Sequence, residues 1–146
     1  MPNSVLGVAN ALLLMADGVG EPLSNMKLQK MLYYEQGYHL AYFDSPLFPD
    51  NFEAWLYGPV VPRVYDKFKS YGNGLIPPGR GAAELALTGD ERNLFEQVFH
   101  VYSAYSAIGL MRLTHKEAPW RNADCRKNET ISKESIMEFF KEKIKH

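Results

Sequence analysis

Apolar positions recur at helical spacing along most of this chain. Between Met26 and Tyr42 they occupy nearly every side of the predicted helix. Leu28, Leu32, Glu35 and His39 fall on one stripe, Met31, Tyr34, Tyr38 and Tyr42 lie beside it, and Gln29, Tyr33, Gln36 and Leu40 form a third row. A helix clad in this way is central rather than superficial. Ser24 and Asn25 are both suited to cap its start, because a short side-chain oxygen accepts from the unpaired N–H groups of a first turn. Gly37 falls mid-helix, where it costs about 1 kcal/mol relative to Ala, so a second element is expected to pack against the bare backbone there.

The flanking pattern supplies the remaining elements. A first helix is predicted from Asn3 or Ser4 to Ala16, with Leu6, Ala9, Leu13 and Ala16 inward and Gly18 as its left-handed C-cap. Pro46 and Pro49 hold the chain extended up to a short aromatic strand at Glu53–Tyr57, and Pro59 is expected to keep Gly58 extended. Pro62 opens the next helix, where its missing N–H is no loss. Six of the ten residues from Gly72 to Gly81 are Gly or Pro, which makes this a loop suited to carrying a contact surface. Glu84–Leu87 reads as a second strand beside Ala54–Tyr57. Thr88-Gly89-Asp90-Glu91 is a capping box for a long helix, Ser106 caps another, Ala118-Pro119-Trp120 begins a helical turn, and Ser132 caps a last amphipathic helix.

The predicted fold is mainly α (α+β), a single domain over residues 1–146. About six helices surround the central one, with a short two- or three-stranded β element. Composition adds bounds: 46% hydrophobic and 23% charged residues are those of an ordinary globule. The net charge of −1 gives no reason to expect a polyanion, since phosphate binding needs clustered Lys and Arg. Arg63, Lys67 and Lys69 with Lys27 and Lys30 form the best basic face, and an ordinary solvated surface explains them as well. One cysteine fits a reducing compartment. No stretch is long and apolar enough to span a membrane, and Val5–Ala16 lacks the basic flank of a signal peptide. The expected location is cytoplasmic.

Candidate chemistry is sparse. Glu35 and His39, four apart on one helix face, can pair as a base and its orienter, or as a hydrogen-bonded polar pair at the core's edge. With His115 they make the one constellation suited to an enzyme or small-ligand site, in a pocket beside Trp55. There is no HExxH and no Cys/His cluster for zinc. The glycines of the 72–81 loop lack the GK[ST] of a phosphate loop, and no GxSxG elbow occurs. Cys125 precedes Arg126 and Lys127, which favours a thiolate, but no base accompanies it. No catalytic residue, metal or cofactor is called for. The aromatics are more prominent: Tyr33, Tyr38, Tyr42, Trp55, Tyr57 and Trp120 either fill the core or serve as exposed anchors for a protein partner.

Several motifs then occur in a fixed order. Met26-Lys27-Leu28-Gln29-Lys30-Met31-Leu32-Tyr33-Tyr34 is followed by Pro46-Leu47-Phe48, by Glu53-Ala54-Trp55-Leu56-Tyr57-Gly58-Pro59-Val60-Val61-Pro62 and by Tyr65. Leu113-Thr114-His115 and Ala118-Pro119-Trp120 come later. This succession resembles the Panacea domain of SocA-like antitoxins and phage-associated GepA-like proteins, over nearly the whole chain.

The resemblance implies a bacterial or phage antitoxin, not an enzyme, that neutralises a cognate toxin by binding it. In the SocA-like branch it further implies an adaptor that hands the toxin to a ClpXP-type protease. The domain is expected to fill the chain, leaving no room for the extra DNA-binding region of some relatives. Neither nucleic acid nor membrane is an expected partner. The motif residues Lys27, Gln29, Lys30, Tyr33, Gln36, Trp55, Tyr57, Gly58, Pro59, His115, Pro119 and Trp120 are the candidates for the partner surface or for the frame that builds it. Toxin-specific contacts are expected on the 72–84 loop and on exposed helix faces.

Overall fold

The computed structural model describes residues 3–79 and 85–145. The elements follow as α1 (Val5–Gly18), β1 (Leu23–Ser24), α2 (Asn25–Phe43), β2 (Phe52–Trp55), β3 (Gly58–Val60), α3 (Pro62–Phe68), a 3-10 turn (Lys69–Tyr71), β4 (Leu75–Ile76), α4 (Gly89–Ser103), α5 (Ala107–His115), α6 (Ala118–Arg121), β5 (Thr130–Ile131) and α7 (Lys133–Ile144). Helix α2 is the axis, and α1, α4, α5 and α7 all lie against it. Fourteen of its 19 residues are buried, which matches a helix with apolar groups all round. None of the described helices is long and apolar enough to cross a membrane.

Side-chain caps start the helices where the sequence places them. Ser4, Ser24, Ser106 and Ser132 each accept from a backbone N–H of the first turn, and Thr88 with Glu91 completes the capping box of α4. The bare backbone at Gly37 is filled by the Phe140 ring of α7, which occupies the place a Cβ would take. Around that contact Tyr33, Tyr34, Phe52 and Phe140 meet edge to face, with centroids 5.1–5.8 Å apart.

Three local expectations are corrected. Helix α1 runs to Gly18, but the left-handed residue is Gly20, at φ +75°. The Glu21 N–H reaches back to the Ala16 carbonyl, so the terminating turn closes two residues later than the Asp-Gly pair suggests. Gly58 is not extended: its φ is +113°, because Leu56 and Tyr57 turn the chain directly from β2 into β3. The partner of β2 is likewise different. It pairs antiparallel with β3 on one side and β5 on the other. Leu85–Leu87 is irregular, since the Asn3 side chain binds both backbone groups of Ala86 and takes the place of a strand neighbour; Glu84 lies outside the described residues. In the glycine-rich loop Leu75–Ile76 pairs with β1, and Gly79 donates to the Asn10 side chain. Residues 80–84 lie outside the described part.

Candidate functional site

Helix α2 is buried, yet it carries Asn25, Gln29, Lys30, Glu35, Gln36 and His39 inside. Most of these hold the irregular backbone that wraps the helix. Buried peptide groups outside regular structure need partners, and α2 supplies them. Gln36 accepts from the Leu47 N–H at 2.7 Å and donates to the Phe48 carbonyl at 2.8 Å. Gln29 accepts from the Val61 N–H at 2.9 Å and donates to Asn25, which in turn donates to the Tyr65 carbonyl. Lys30 donates from Nζ to the Pro59 carbonyl at 3.1 Å. The segments 47–48 and 59–65 are thus fastened to one helix by amide and ammonium groups.

Lys30 and Gly58 fit one another. A Cβ at position 58 would collide with Lys30 Cε and stand 3.0 Å from Thr114 Oγ1 and 3.1 Å from Lys30 Nζ. Glycine is required there twice, by conformation and by space. Pro59 follows on β3, an edge strand that tolerates a missing donor. Burial drops the Lys30 ammonium from 10.5 to about 7.

Beside this hairpin opens a cavity of about 500 Å³. Asn25, Gln29 and Lys30 of α2 form one wall, Trp55, Leu56 and Tyr57 another, and Tyr65 with Lys69 a third. The Trp55 ring meets Tyr65 edge to face at 4.9 Å, and its indole N–H donates to Glu53. Trp120 donates from its indole to the Trp55 carbonyl at 2.8 Å and stacks on His115 at 3.9 Å. Pro119 is buried at the start of α6 and fixes the approach of Trp120. The hairpin is therefore braced from behind by α5 and α6, while Leu56 and Tyr57 stay 63% and 58% exposed at its tip.

The sequence-predicted residues divide accordingly. Gln29, Lys30, Trp55 and Tyr57 line the cavity. Gly58, Pro59, His115, Pro119 and Trp120 shape the hairpin behind it. Gln36 and Tyr33 lie elsewhere, Gln36 under the 47–48 turn and Tyr33 in the aromatic core. Lys27 ties the start of α2 to the Ser103 carbonyl at the end of α4. The basic face does not form: Lys30 is interior, Arg63 pairs with Asp50 at 3.0 Å and Lys69 with Asp66 at 3.7 Å.

Glu35, His39 and His115 do not assemble into one site. His39 bridges Ser45 O at 2.6 Å and Glu91 Oε2 at 2.5 Å. Glu35 lies in the same narrow crevice with one carboxyl oxygen unpartnered, and burial pushes its carboxyl well above the usual range. His115 is elsewhere, against Trp120, and its imidazole is lowered chiefly by burial. No group of three His, Cys, Asp or Glu among the described residues is placed to hold a metal.

Two participants escaped sequence reasoning. Leu56 is an apolar residue at a hairpin tip, flanked by aromatics, and that placement was legible. Glu117 is another matter. It accepts the Tyr34 hydroxyl at 3.1 Å and pairs with Lys143 at 3.6 Å, while burial raises it to about 7. Both partners are remote in sequence, so no local signal marks it.

Residues 28–121 match the family described as antitoxin SocA-like, Panacea domain. The matched span covers Lys30, the hairpin, His115 and Trp120. Among curated proteins, antitoxin SocA of Caulobacter vibrioides (strain NA1000 / CB15N) is 46% identical over 65 residues, which is 44% of this chain and 35% of that relative. The match thus spans about a third of the relative's own length. No solved structure matches the chain. With the family covering well over half of its length and every motif around the hairpin inside that span, the chain belongs to the SocA-like, Panacea-domain antitoxin family.

Proposed function

We propose that this protein is an antitoxin that neutralises a cognate toxin by binding it directly, and that the groove beside the β2–β3 hairpin is the contact face. The observation that carries the second half is the exposure of Leu56 and Tyr57 on a braced, rigid tip above a cavity. Large apolar side chains held rigidly at a surface lose little entropy on binding and make strong anchors. Occlusion is the mechanism this supports: the groove and its rim cover a surface the toxin needs, and no substrate is transformed.

The test is co-expression with the protein encoded by the neighbouring gene, read as growth and as capture on a column. The intact chain captures its partner and restores growth. The double variant Leu56→Asp/Tyr57→Ala, altered only at exposed positions, keeps its melting temperature and loses about tenfold or more in affinity. Undiminished capture by that variant moves the contact face elsewhere. Absence of capture by the intact chain at micromolar concentration overturns the antitoxin reading itself.

A further inference from the structure

The groove beside the hairpin carries charge of one sign only among its described lining residues. Those residues include Lys30 and Lys69 and not one carboxylate. Lys69 is exposed and has Asp66 as a neighbour, whereas Lys30 is interior and makes no ion pair with any described residue. Its ammonium has three N–H donors, and one hydrogen bond, to the Pro59 carbonyl, engages it. Removing an ammonium from water without a counter-charge costs several kcal/mol. Neutral side chains serve the same purpose elsewhere on this helix, as Gln29 and Gln36 do for the Val61 and Phe48 backbones. Holding the hairpin does not therefore call for a charge at position 30.

We infer that the groove is a carboxylate site, which receives an acidic side chain of the partner protein at Lys30 while the rim of Trp55, Leu56, Tyr57 and Tyr65 covers the apolar residues beside it. This rests on the antitoxin reading for the nature of the partner. Charge complementarity selects an acid, because the described lining residues offer two cations and no anion. The dimensions select a protein segment: about 500 Å³ exceeds what one carboxylate fills, and Trp55, Leu56, Tyr57 and Tyr65 line the same cavity with apolar surface that a small ion at Lys30 would leave uncovered. The approaching acid supplies the missing counter-charge and accepts from the donors that Pro59 leaves free.

The experiment titrates the full chain, by NMR of the Trp55 indole and the Tyr57 amide, with two capped tripeptides, acetyl-Leu-Glu-Leu-amide and acetyl-Leu-Gln-Leu-amide. Wild type binds the Glu peptide at least fivefold more tightly. In Lys30→Met, whose folding is checked by its melting temperature, the preference disappears. In Tyr57→Ala both peptides weaken together. Equal binding of the two peptides by wild type, or a preference that survives Lys30→Met, overturns the assignment. So does sodium acetate matching the Glu peptide, an outcome that makes the groove a site for a free carboxylate ligand. Capture of the neighbouring gene product is measured in parallel. Its failure with wild type removes the antitoxin reading, whereas full capture by Lys30→Met removes only the carboxylate assignment.

Discussion

Lys30 and Glu35, a base and an acid, lie about 1.4 turns apart on α2, both interior and in different surroundings. Lys30 has a carbonyl at 3.1 Å and lines a groove of about 500 Å³. Glu35 leaves Oε2 without a partner among the described residues, in a crevice walled by His39, Leu47, Glu91, Leu94 and Phe95 and too narrow to admit a water molecule. An interior charge beside an opening can recover its lost hydration from a ligand. One facing a closed wall can only change its protonation. The same helix therefore presents one ionisable group to the outside and silences the other, and its loop-fastening amides serve both halves.

The largest perturbation breaks the frame that both residues share. Gly37→Ala puts a methyl group inside the Phe140 ring, and that ring is wedged among Tyr33, Tyr34 and Tyr38. Overpacking of this kind costs about 1–3 kcal/mol, with a fall in melting temperature of roughly 2–4 °C per kcal/mol for a domain of this size. Adding Phe140→Leu to Gly37→Ala opens space, so the double variant melts above the single one. A single variant that melts like wild type would show that α7 is free to shift and that α2 is not clamped between them.

The next effect separates the two charges. Lys30→Met replaces an uncompensated interior ammonium, whose desolvation costs several kcal/mol, with an apolar group of similar length, and is expected to be stabilising where the ammonium is charged. Its sign with pH follows from the lowered ammonium. Between about 7, where folded Lys30 titrates, and 10.5 the unfolded chain holds the extra proton, so wild-type stability rises with pH across that window. The advantage of Lys30→Met is accordingly largest near pH 6 and shrinks toward about pH 9.5. Urea denaturation at the two pH values measures it. A loss of stability at both would mean that Pro59 depends on the ammonium more than burial opposes it.

The sequence showed the frame better than the site. The centrality of α2, the close approach at Gly37 and the caps at Ser4, Ser24, Thr88, Ser106 and Ser132 were all legible, because each is written within a few residues of the place it acts. What it hid was nonlocal. Glu53 pairs with Thr130 of β5, far along the chain, and no pattern at either strand announces the other. Lysine is a surface residue by default, so Lys30 read as part of an exposed basic face; its burial is decided by a hairpin that folds over it. Gly58 was misread for a related reason, since its positive φ depends on the two-residue turn and not on Pro59. Glu35 and His39 share a crevice but do not form the pair their spacing suggests: the ring nitrogens of His39 go to Ser45 and to Glu91 of α4, whose other oxygen already serves the capping box.

The smallest expected effect tests the silenced group. Folded Glu35 holds its proton above the ordinary 4.5 because burial penalises its charge. A folded-state value raised above the unfolded one gives stability that is present below about 4.5 and is lost as pH rises through the folded value. Glu117 acts in the same direction up to about 7, with Lys143 and the Tyr34 hydroxyl opposing the shift. These two contributions decline from acidic toward neutral pH, the reverse of the Lys30 contribution above 7 and of the lowered Glu91, Asp124 and His115. Glu35→Gln keeps the size of the side chain and cannot ionise, so its melting temperature near the acidic end matches wild type and its decline with pH is shallower. The slope that remains belongs to Glu117, offset by Glu91, Asp124 and His115. A decline as steep as that of wild type would mean that water reaches Glu35 after all, and the contrast between the open and closed halves of α2 would fail at its closed end.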